Sequence, residues 1–209
     1  NDGEARSIAY TGMRVGSMAH TFNYGEVVNA VYGFGGNGYS VPPAPITDGR
    51  VIDPASDDQS FDASNGLTTF ILDGKVLNVL PDVCVEALDY TLNNNLQPQT
   101  CVGELSPSDQ VAFSAAIEVN VRMYNGISGF DTVMPKKISQ DPVGLHWAVI
   151  DSDGNGYGFS MPRVQLNFPD PAATGRNEFV FLEGAGVASF DAAMGSTLRI
   201  YEIIAPVAP

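Results

Sequence analysis

The sequence predicts a mainly β protein built from antiparallel strands. Three observations support this prediction. Glycine and proline are frequent, at 22 and 14 of 209 residues; most apolar stretches alternate with a period of two; and turn residues separate these stretches. Helix is predicted only within Asn125 to Lys137, which would end on Lys136 and Lys137, where the helix dipole favours cations.

The opening of the chain predicts two strands joined by a short turn. The first covers Met13 to Phe22 and the second covers Glu26 to Gly35, with Asn23, Tyr24 and Gly25 between them. Gly and Asn are common turn residues because they tolerate positive φ angles. The chain is therefore predicted to open with a pair of strands.

The clearest strand runs from Val111 to Met123. Its apolar residues share one face, whereas Glu118, Asn120 and Arg122 line the other. One buried face and one wet face are typical of antiparallel sheets. The apolar positions are Val111, Phe113, Ala115, Ile117, Val119, Val121 and Met123.

A hairpin is predicted around Asp151 to Gly156. Leu145, Trp147 and Val149 alternate before this turn, and Tyr157, Phe159 and Met161 alternate after it. The apolar positions then move to Val164, Leu166 and Phe168, which changes their parity by one residue. An extra residue in one strand has this effect, so we predict a β-bulge near Met161, Pro162 and Arg163.

Two further regions complete the chain. Strands are predicted at Asn177 to Phe190 and at Ser196 to Ile204, joined across residues 191–195. Residues 37–65 are rich in Pro, Asp and Ser and show no sustained periodicity, which predicts a long extended loop. The chain begins at Asn1 rather than Met, so we expect that an upstream segment was removed or left out.

The charge balance excludes one class of function. The chain has 24 acidic and 10 basic residues, which gives a net charge of −14. Nucleic-acid affinity comes mainly from Lys and Arg, so sequence-specific binding of DNA or RNA is not expected. No apolar run approaches the roughly 20 residues that span a bilayer, so no membrane partner is expected.

Three motifs invite an enzyme or metal interpretation, and each is better explained as a strand end, a turn or part of the long loop. Residues 33–38 match the dinucleotide-binding spacing, but Pro42 and Pro43 follow where a helix should begin. Asp151, Asp153 and Asn155 copy the first half of an EF-hand loop, but its twelfth position is Pro162. Adjacent Asp57 and Asp58 lie in the long loop without apolar neighbours that could raise a pKa.

The remaining reactive residues are few. His20 and His146 lie in no catalytic signature, and His146 is expected on the second face of a strand beside Trp147. Cys84 and Cys101 are the only cysteines, and we predict that both are buried, reduced thiols. No cofactor, metal site or catalytic residue is therefore expected.

The segment ALDYTLNNNLQPQTCVGE, residues 87–104, resembles the tail tube proteins of long-tailed bacteriophages. Residues 10–36 resemble the opening hairpin of that family. From Val111 onward the order also matches: a long strand, a short helical piece, the hairpin HWAVIDSDGNGYGFSMPRVQLNF, and two final strands ending in STLRIYEI. The match covers most of the chain.

This resemblance implies a single tail-tube domain over residues 1–209, with a β-sandwich or half-barrel of antiparallel strands. Six copies would close into a ring, and rings would stack into a tube. The implied partners are copies of the chain, a tape-measure protein, tail-end proteins, and phage DNA that passes without specific binding. The tube would be assembled in the bacterial host cytoplasm and located in the virion tail.

Two sets of residues are expected to serve the tube. Glu118 and Asp89 are candidates for the lumen, where carboxylates would repel phosphates. The long loop would contact the next ring, and its candidate residues are Pro42, Pro43, Asp48, Arg50, Asp57 and Asp58.

Two alternatives remain open at this point. One is the tube of a related injection device, such as a contractile tail or a type VI secretion system. The other is a secreted carbohydrate- or calcium-binding β-sandwich, which the Asp151 to Gly156 region and the acidic surface would favour.

Overall fold

The computed structural model describes residues 8–42, 60–80, 83–104, 106–170 and 181–205. Within those ranges the chain is mainly β with antiparallel pairing, which confirms the predicted fold class. No helix there has both the length and the apolar character needed to span a membrane. The elements are β1 (Ala9–Thr11), β2 (Arg14–Asn23), β3 (Asn29–Gly35), β4 (Gly38–Ser40), α1 (Ala63–Gly66), β5 (Leu67–Leu72), β6 (Lys75–Val76), β7 (Val83–Asn93), β8 (Leu96–Gln99), β9 (Asp109–Ala112), β10 (Ala116–Asn125), α2 (Ile127–Ser139), β11 (Val143–Ile150), β12 (Gly156–Asn167), β13 (Phe181–Ala188) and β14 (Arg199–Ile203).

One large sheet contains most of the strands. Its order is β3-β2-β7-β10-β13-β12-β11-β5-β6, and β14 pairs with the first half of β12. Two small ladders, β1 with β4 and β8 with β9, complete the pairing. Both predicted opening strands are confirmed as β2 and β3. The predicted closing strands are seen as β13 and β14: β13 pairs with both β10 and β12, and β14 pairs with β12. The first part of the predicted Asn177 to Phe190 strand, residues 177–180, lies outside the described residues.

The chain divides into two compact units. Unit 1 consists of Asn1–Met18, Val31–Asp58 and Asn93–Ala115. Unit 2 consists of Ala19–Ala30, Gln59–Leu92 and Ala116–Pro209. Three of the boundaries between the units fall inside β2, inside β3 and near the end of β7.

An aromatic cluster lies at the core of unit 2. Trp147 stacks on Phe159 with ring centroids 5.1 Å apart, and Tyr90 and Phe22 meet Trp147 edge-on at 5.7 and 6.0 Å. Odd-numbered residues of β11 are buried and even-numbered ones are half-buried, as the alternation predicted. Burial of large aromatic side chains supplies most of the hydrophobic stabilisation of such a core.

The predicted bulge in β12 is confirmed by the pairing of β11 with β12. Leu145 pairs with Met161 and Val143 pairs with Val164, so three steps on β12 oppose two on β11. The extra residue lies at Pro162 and Arg163. A ladder with a missing hydrogen bond tolerates proline, which has no N–H to donate.

The strand predicted from Val111 to Met123 is two strands, which corrects the prediction. β9 ends at Ala112 and β10 begins at Ala116. Ile117, Val119, Val121 and Met123 are buried in unit 2. The apolar positions of the predicted strand that belong to unit 1 remain exposed; they include Val111 in β9 at 37% and Phe113 in the break at 64%.

The predicted helix forms as α2, and Lys136 and Lys137 lie in its last turn. Lys136 forms an ion pair with Asp73 at 2.5 Å, and Lys137 pairs with Asp170. The helix ends where Gln140 adopts a left-handed conformation, with φ of 56°, and donates its N–H to the carbonyl of Lys136. Cations and a left-handed cap are both favourable at a helix C-terminus.

Gly184 in β13 is required for packing against Phe168. A Cβ at Gly184 would overlap the ring of Phe168, which is 1% exposed. Gly184→Ala is therefore expected to lower the free energy of unfolding by about 1–3 kcal/mol. Gly158→Ala in β12 is the matched control, because its Cβ would meet Ile203 at an ordinary 3.7 Å. Urea unfolding of both variants would contradict this account if Gly184→Ala were as stable as Gly158→Ala.

Candidate assembly surfaces

Unit 1 buries none of its described hydrophobic side chains. All the buried hydrophobic residues of the described chain belong to unit 2, and the one buried side chain of unit 1 is Gln110. A small sheet needs an apolar face packed on something to be stable alone. The large hydrophobic residues of unit 1 that are exposed are Ile8, Tyr10, Met13, Val15, Val31, Tyr32, Phe34, Tyr39, Val41, Val102, Val111 and Phe113.

Side-chain amides hold unit 1 together instead. Gln110 donates from Nε2 to the carbonyl of Gly36 at 3.0 Å, and Asn37 donates from Nδ2 to the carbonyl of Ser108 at 3.2 Å. The N–H of Asn37 also donates to the carbonyl of Thr11 at 2.9 Å. These bonds fix the backbone of unit 1 and leave its apolar side chains on the surface.

The asparagine run that carried the resemblance forms the turn between β7 and β8. Asn94 donates from Nδ2 to the carbonyl of Val15 at 2.8 Å, and Asn95 donates from Nδ2 to that of Ser114 at 2.6 Å. Asn95 has a φ of 46°, a left-handed conformation that asparagine tolerates better than most residues. The three consecutive asparagines thus make the turn and also bond to two other segments of unit 1.

Aromatic residues are prominent on this surface. Tyr10 in β1 lies directly opposite Tyr39 in β4, and they are 63% and 72% exposed. In β3, Tyr32 and Phe34 are 48% and 59% exposed. Sequence reasoning missed these four residues as functional candidates. The sequence feature that could have identified them is the absence of charge: residues 31–42 contain no charged side chain, although the whole chain has a net charge of −14.

Unit 2 contains the two predicted lumen candidates on its polar sheet face. Asp89 in β7 accepts a hydrogen bond from Nδ2 of Asn120 in β10 at 2.9 Å. Glu118 is exposed and lies two residues from Asn120 on the same face of β10. The structure therefore brings both carboxylates to the face formed by β7, β10 and β13, which we call the polar face.

The predicted inter-ring loop is described only at its ends. Pro42 is half-buried, at the end of the segment that follows β4. The other candidate residues lie outside the described residues; they are Pro43, Asp48, Arg50, Asp57 and Asp58. Within the predicted range 37–65, Gly38–Ser40 forms β4 and Ala63 begins α1.

The glycine-rich motif is a strand end, as predicted. Gly33 and Gly35 lie in β3, and Gly38 begins β4, so a strand follows where a dinucleotide site requires a helix. Gly33 and Gly36 lie close to the side chains of Ser17 and Met13. The glycines therefore serve close packing within unit 1.

The calcium-like motif is the hairpin turn between β11 and β12, as predicted. Oδ1 of Asp151 accepts the N–H groups of Asp153 at 2.9 Å and of Asn155 at 2.8 Å. Gly154 supplies the positive φ, at 88°. The Asp151 carboxylate thus stabilises the turn, which is a common role for Asp at this position.

His146 lies on the second face of β11, as predicted, and His20 lies in the aromatic cluster. Nδ1 of His146 is 2.8 Å from the hydroxyl of Ser160. Nδ1 of His20 is 2.5 Å from the hydroxyl of Tyr90, and the His20 ring is 5.8 Å from that of Phe159. Desolvation by burial lowers the pKa of both histidines.

Because His20 is buried, we expect the stability of the fold to decrease at acidic pH. Because its folded pKa lies below the ordinary value of 6.5, the unfolded chain binds the proton more readily. The free energy of unfolding should therefore be fully retained above pH 6.5 and fall below it, by at most about 1.4 kcal/mol per pH unit for this one histidine. Urea unfolding at pH 7.5 and 5.5 measures the loss, and His20→Gln should reduce it. An equal loss in both proteins would contradict the assignment to His20.

The prediction that both cysteines are buried was wrong. Cys84 and Cys101 are free thiols, and both are exposed. Cys84 follows the buried Val83 in β7 and so points to the other face of the strand. Cys101 lies in the connection between β8 and β9, where the side chain meets solvent.

The chain is a mainly antiparallel β protein. Its glycine-rich motif and its calcium-like motif, which most resembled binding sites in the sequence, are a strand end and a turn. Comparison with protein families identifies the class: the model for phage tail tube proteins matches residues 1–192. The chain therefore belongs to the phage tail tube protein family and is a structural component of the virion tail. No curated protein matches the chain. Membership favours the tail-tube interpretation over the secreted carbohydrate- or calcium-binding module.

Proposed function

We propose that this chain is the repeating subunit of a tail tube that conducts the phage genome during ejection. Copies associate through unit 1 into hexameric rings, and the rings stack. Both units together act as one tail-tube domain over residues 1–209. Assembly takes place in the host cytoplasm around a tape-measure protein, and tail-end proteins close the tube.

The observation that carries this proposal is the surface of the described part of unit 1, which is apolar and poor in charge. Its described segments contain only three charged residues, and two of them, Arg14 and Asp109, pair with each other at 3.1 Å. The third is Glu104. Cores of protein interfaces are depleted of charge and enriched in aromatic residues, which is the composition seen here. A second copy of the chain can cover such a surface without burying unpaired charges.

Strand β3 offers the backbone for such a contact. In the described chain β2 is its one ladder partner, so β3 is an edge of the large sheet. Val31 is 59% exposed and its neighbour Tyr32 is 48% exposed, so apolar side chains occupy both faces of this edge. Free edges invite pairing with another chain, and a ring satisfies every edge without open-ended growth within its plane.

The polar face supports the role of a conduit. Glu118 and Asp89 lie on it, and we propose that they face the lumen, where they keep DNA from adhering. The long loop, with Pro42, Pro43, Asp48, Arg50, Asp57 and Asp58, is proposed to contact the adjacent ring.

Negative-stain microscopy of the purified full chain tests the assembly. We expect rings or uniform hollow tubes, because the unit 1 surface has no partner within the described chain that would bury it. A chain that stays monomeric at high concentration under all salt conditions would contradict the proposal.

A further inference from the structure

Arg122 lies between two carboxylates on the polar face. Its Nε is 3.0 Å from Oε2 of Glu86 in β7 and 3.3 Å from Oε1 of Glu183 in β13. Glu183 is the direct cross-strand partner of Arg122. One guanidinium is thus shared by acids from the strands on either side of β10, and the three side chains together carry a charge of −1.

An aromatic ring fixes the same guanidinium. The Arg122 Cζ atom lies 4.2 Å from the centre of the Phe181 ring, which also contacts the ring of Tyr124 at 4.7 Å. A cation over an aromatic face is attracted by the ring quadrupole. With 44% of its side chain exposed, Arg122 gains little stability from each ion pair. The arrangement therefore matters more for the charge that the face presents to solvent than for the stability of the fold.

In the described part of the chain, Arg122 is a single positive charge in a groove that is otherwise lined by acidic, polar and apolar residues. An open groove of about 540 Å³ lies over the polar face and is lined by Asp89, Asn120, Arg122, Asn167 and Glu183, among others. Arg122 is the only basic residue among the described residues that line it. An unpaired guanidinium there would be a ready ligand for a phosphodiester, because its N–H groups match two phosphate oxygens.

We propose that Glu86 and Glu183 mask Arg122, so that the polar face does not bind the phosphate backbone of nucleic acid. The inference rests on the proposed function, in which this face lines the bore of the tube. In that setting six free guanidiniums per ring would slow the passage of DNA. The two carboxylates remove the affinity of Arg122 for phosphate, while its ion pairs link β10 to β7 and β13.

The test uses the full chain with both carboxylates neutralised, Glu86→Gln and Glu183→Gln together. The probe is a labelled 15-nucleotide single-stranded DNA, and fluorescence anisotropy is measured with unassembled subunits and with tubes at low salt. We expect binding at least tenfold tighter than for the unmodified chain, with an affinity that falls as salt rises. Adding Arg122→Gln to this variant should abolish the gain.

A control separates masking from a general change in charge. The double variant Asp153→Asn with Glu202→Gln also removes two negative charges, but from exposed positions that do not pair with Arg122. Equal DNA binding by this control and the test variant would overturn the proposal. The proposal would also be overturned if the test variant, as unassembled subunits with the circular dichroism of the unmodified chain, bound DNA no more tightly than the unmodified chain. If the test variant bound DNA more tightly as subunits but not as tubes, masking would be supported. The lumenal position of the polar face would then be contradicted, because assembly would have covered this face.

Discussion

Phe34→Glu is expected to abolish assembly while leaving the isolated subunit folded. Phe34 lies on the edge strand β3 in unit 1 and is 59% exposed. If a second copy covers this side chain, the new carboxylate must lose its water without a partner, which costs several kcal/mol or more. We expect the assembled fraction to drop at least tenfold at a concentration where the unmodified chain is mostly assembled, as measured by sedimentation velocity.

Phe190→Glu is the matched control for this prediction. Phe190 is the same residue type with nearly the same exposure, 62%, but it belongs to unit 2. The Phe190→Glu variant should sediment as rings or tubes. Normal assembly of Phe34→Glu, or equal loss in both variants, would contradict the assignment of the interface to unit 1.

Trp147→Ala is expected to cause the largest loss of stability of any single truncation in unit 2. Trp147 is 2% exposed and contacts Phe159, Tyr90 and Phe22 in the aromatic cluster. Truncation of a buried tryptophan removes about 3–5 kcal/mol, a large part of the 5–15 kcal/mol that stabilises a typical domain. Urea unfolding of the unassembled subunit measures this loss.

The comparison for Trp147→Ala is an exposed aromatic residue in the same unit. Phe190→Ala should change the free energy of unfolding by less than about 1 kcal/mol, because surface substitutions remove few packing contacts. If Trp147→Ala lost no more than Phe190→Ala, the aromatic cluster would not be the core that stabilises unit 2.

The elements of unit 2 could largely be predicted because their signals are local. The alternation around Trp147, the Asp and Gly residues of the turn, and the parity change at Pro162 each lie within a few residues of the structure that they specify. The helix was signalled by its C-terminal lysines, which do pair with Asp73 and Asp170. Local sequence determines such turns and bulges directly.

The nature of unit 1 could not be predicted in this way. Val111 and Phe113 continue the apolar alternation of Ile117 and Val119, which predicted one long strand with a single buried face. Alternation shows that a face avoids water, but it does not show whether the chain itself or another copy covers that face. The break between β9 and β10 and the exposure of Phe113 emerge only from the fold.

Non-local pairing also escaped sequence reasoning. Cys84 was predicted to be a buried thiol, yet its position on the outward side of β7 leaves it exposed. The three-way contact of Arg122 depends on β7 and β13 flanking β10, although these strands are distant from it in sequence. The sequence contains the charges, and the strand order decides which of them meet.

Cryo-electron microscopy of assembled tubes tests most directly the claim that unit 1 is the surface through which copies associate. We expect rings in which Tyr10, Phe34 and Tyr39 are buried between neighbouring copies, while Glu118 and Asp89 line the bore. A reconstruction with unit 1 facing solvent on the outside of the tube, and its aromatic residues uncovered, would contradict this claim.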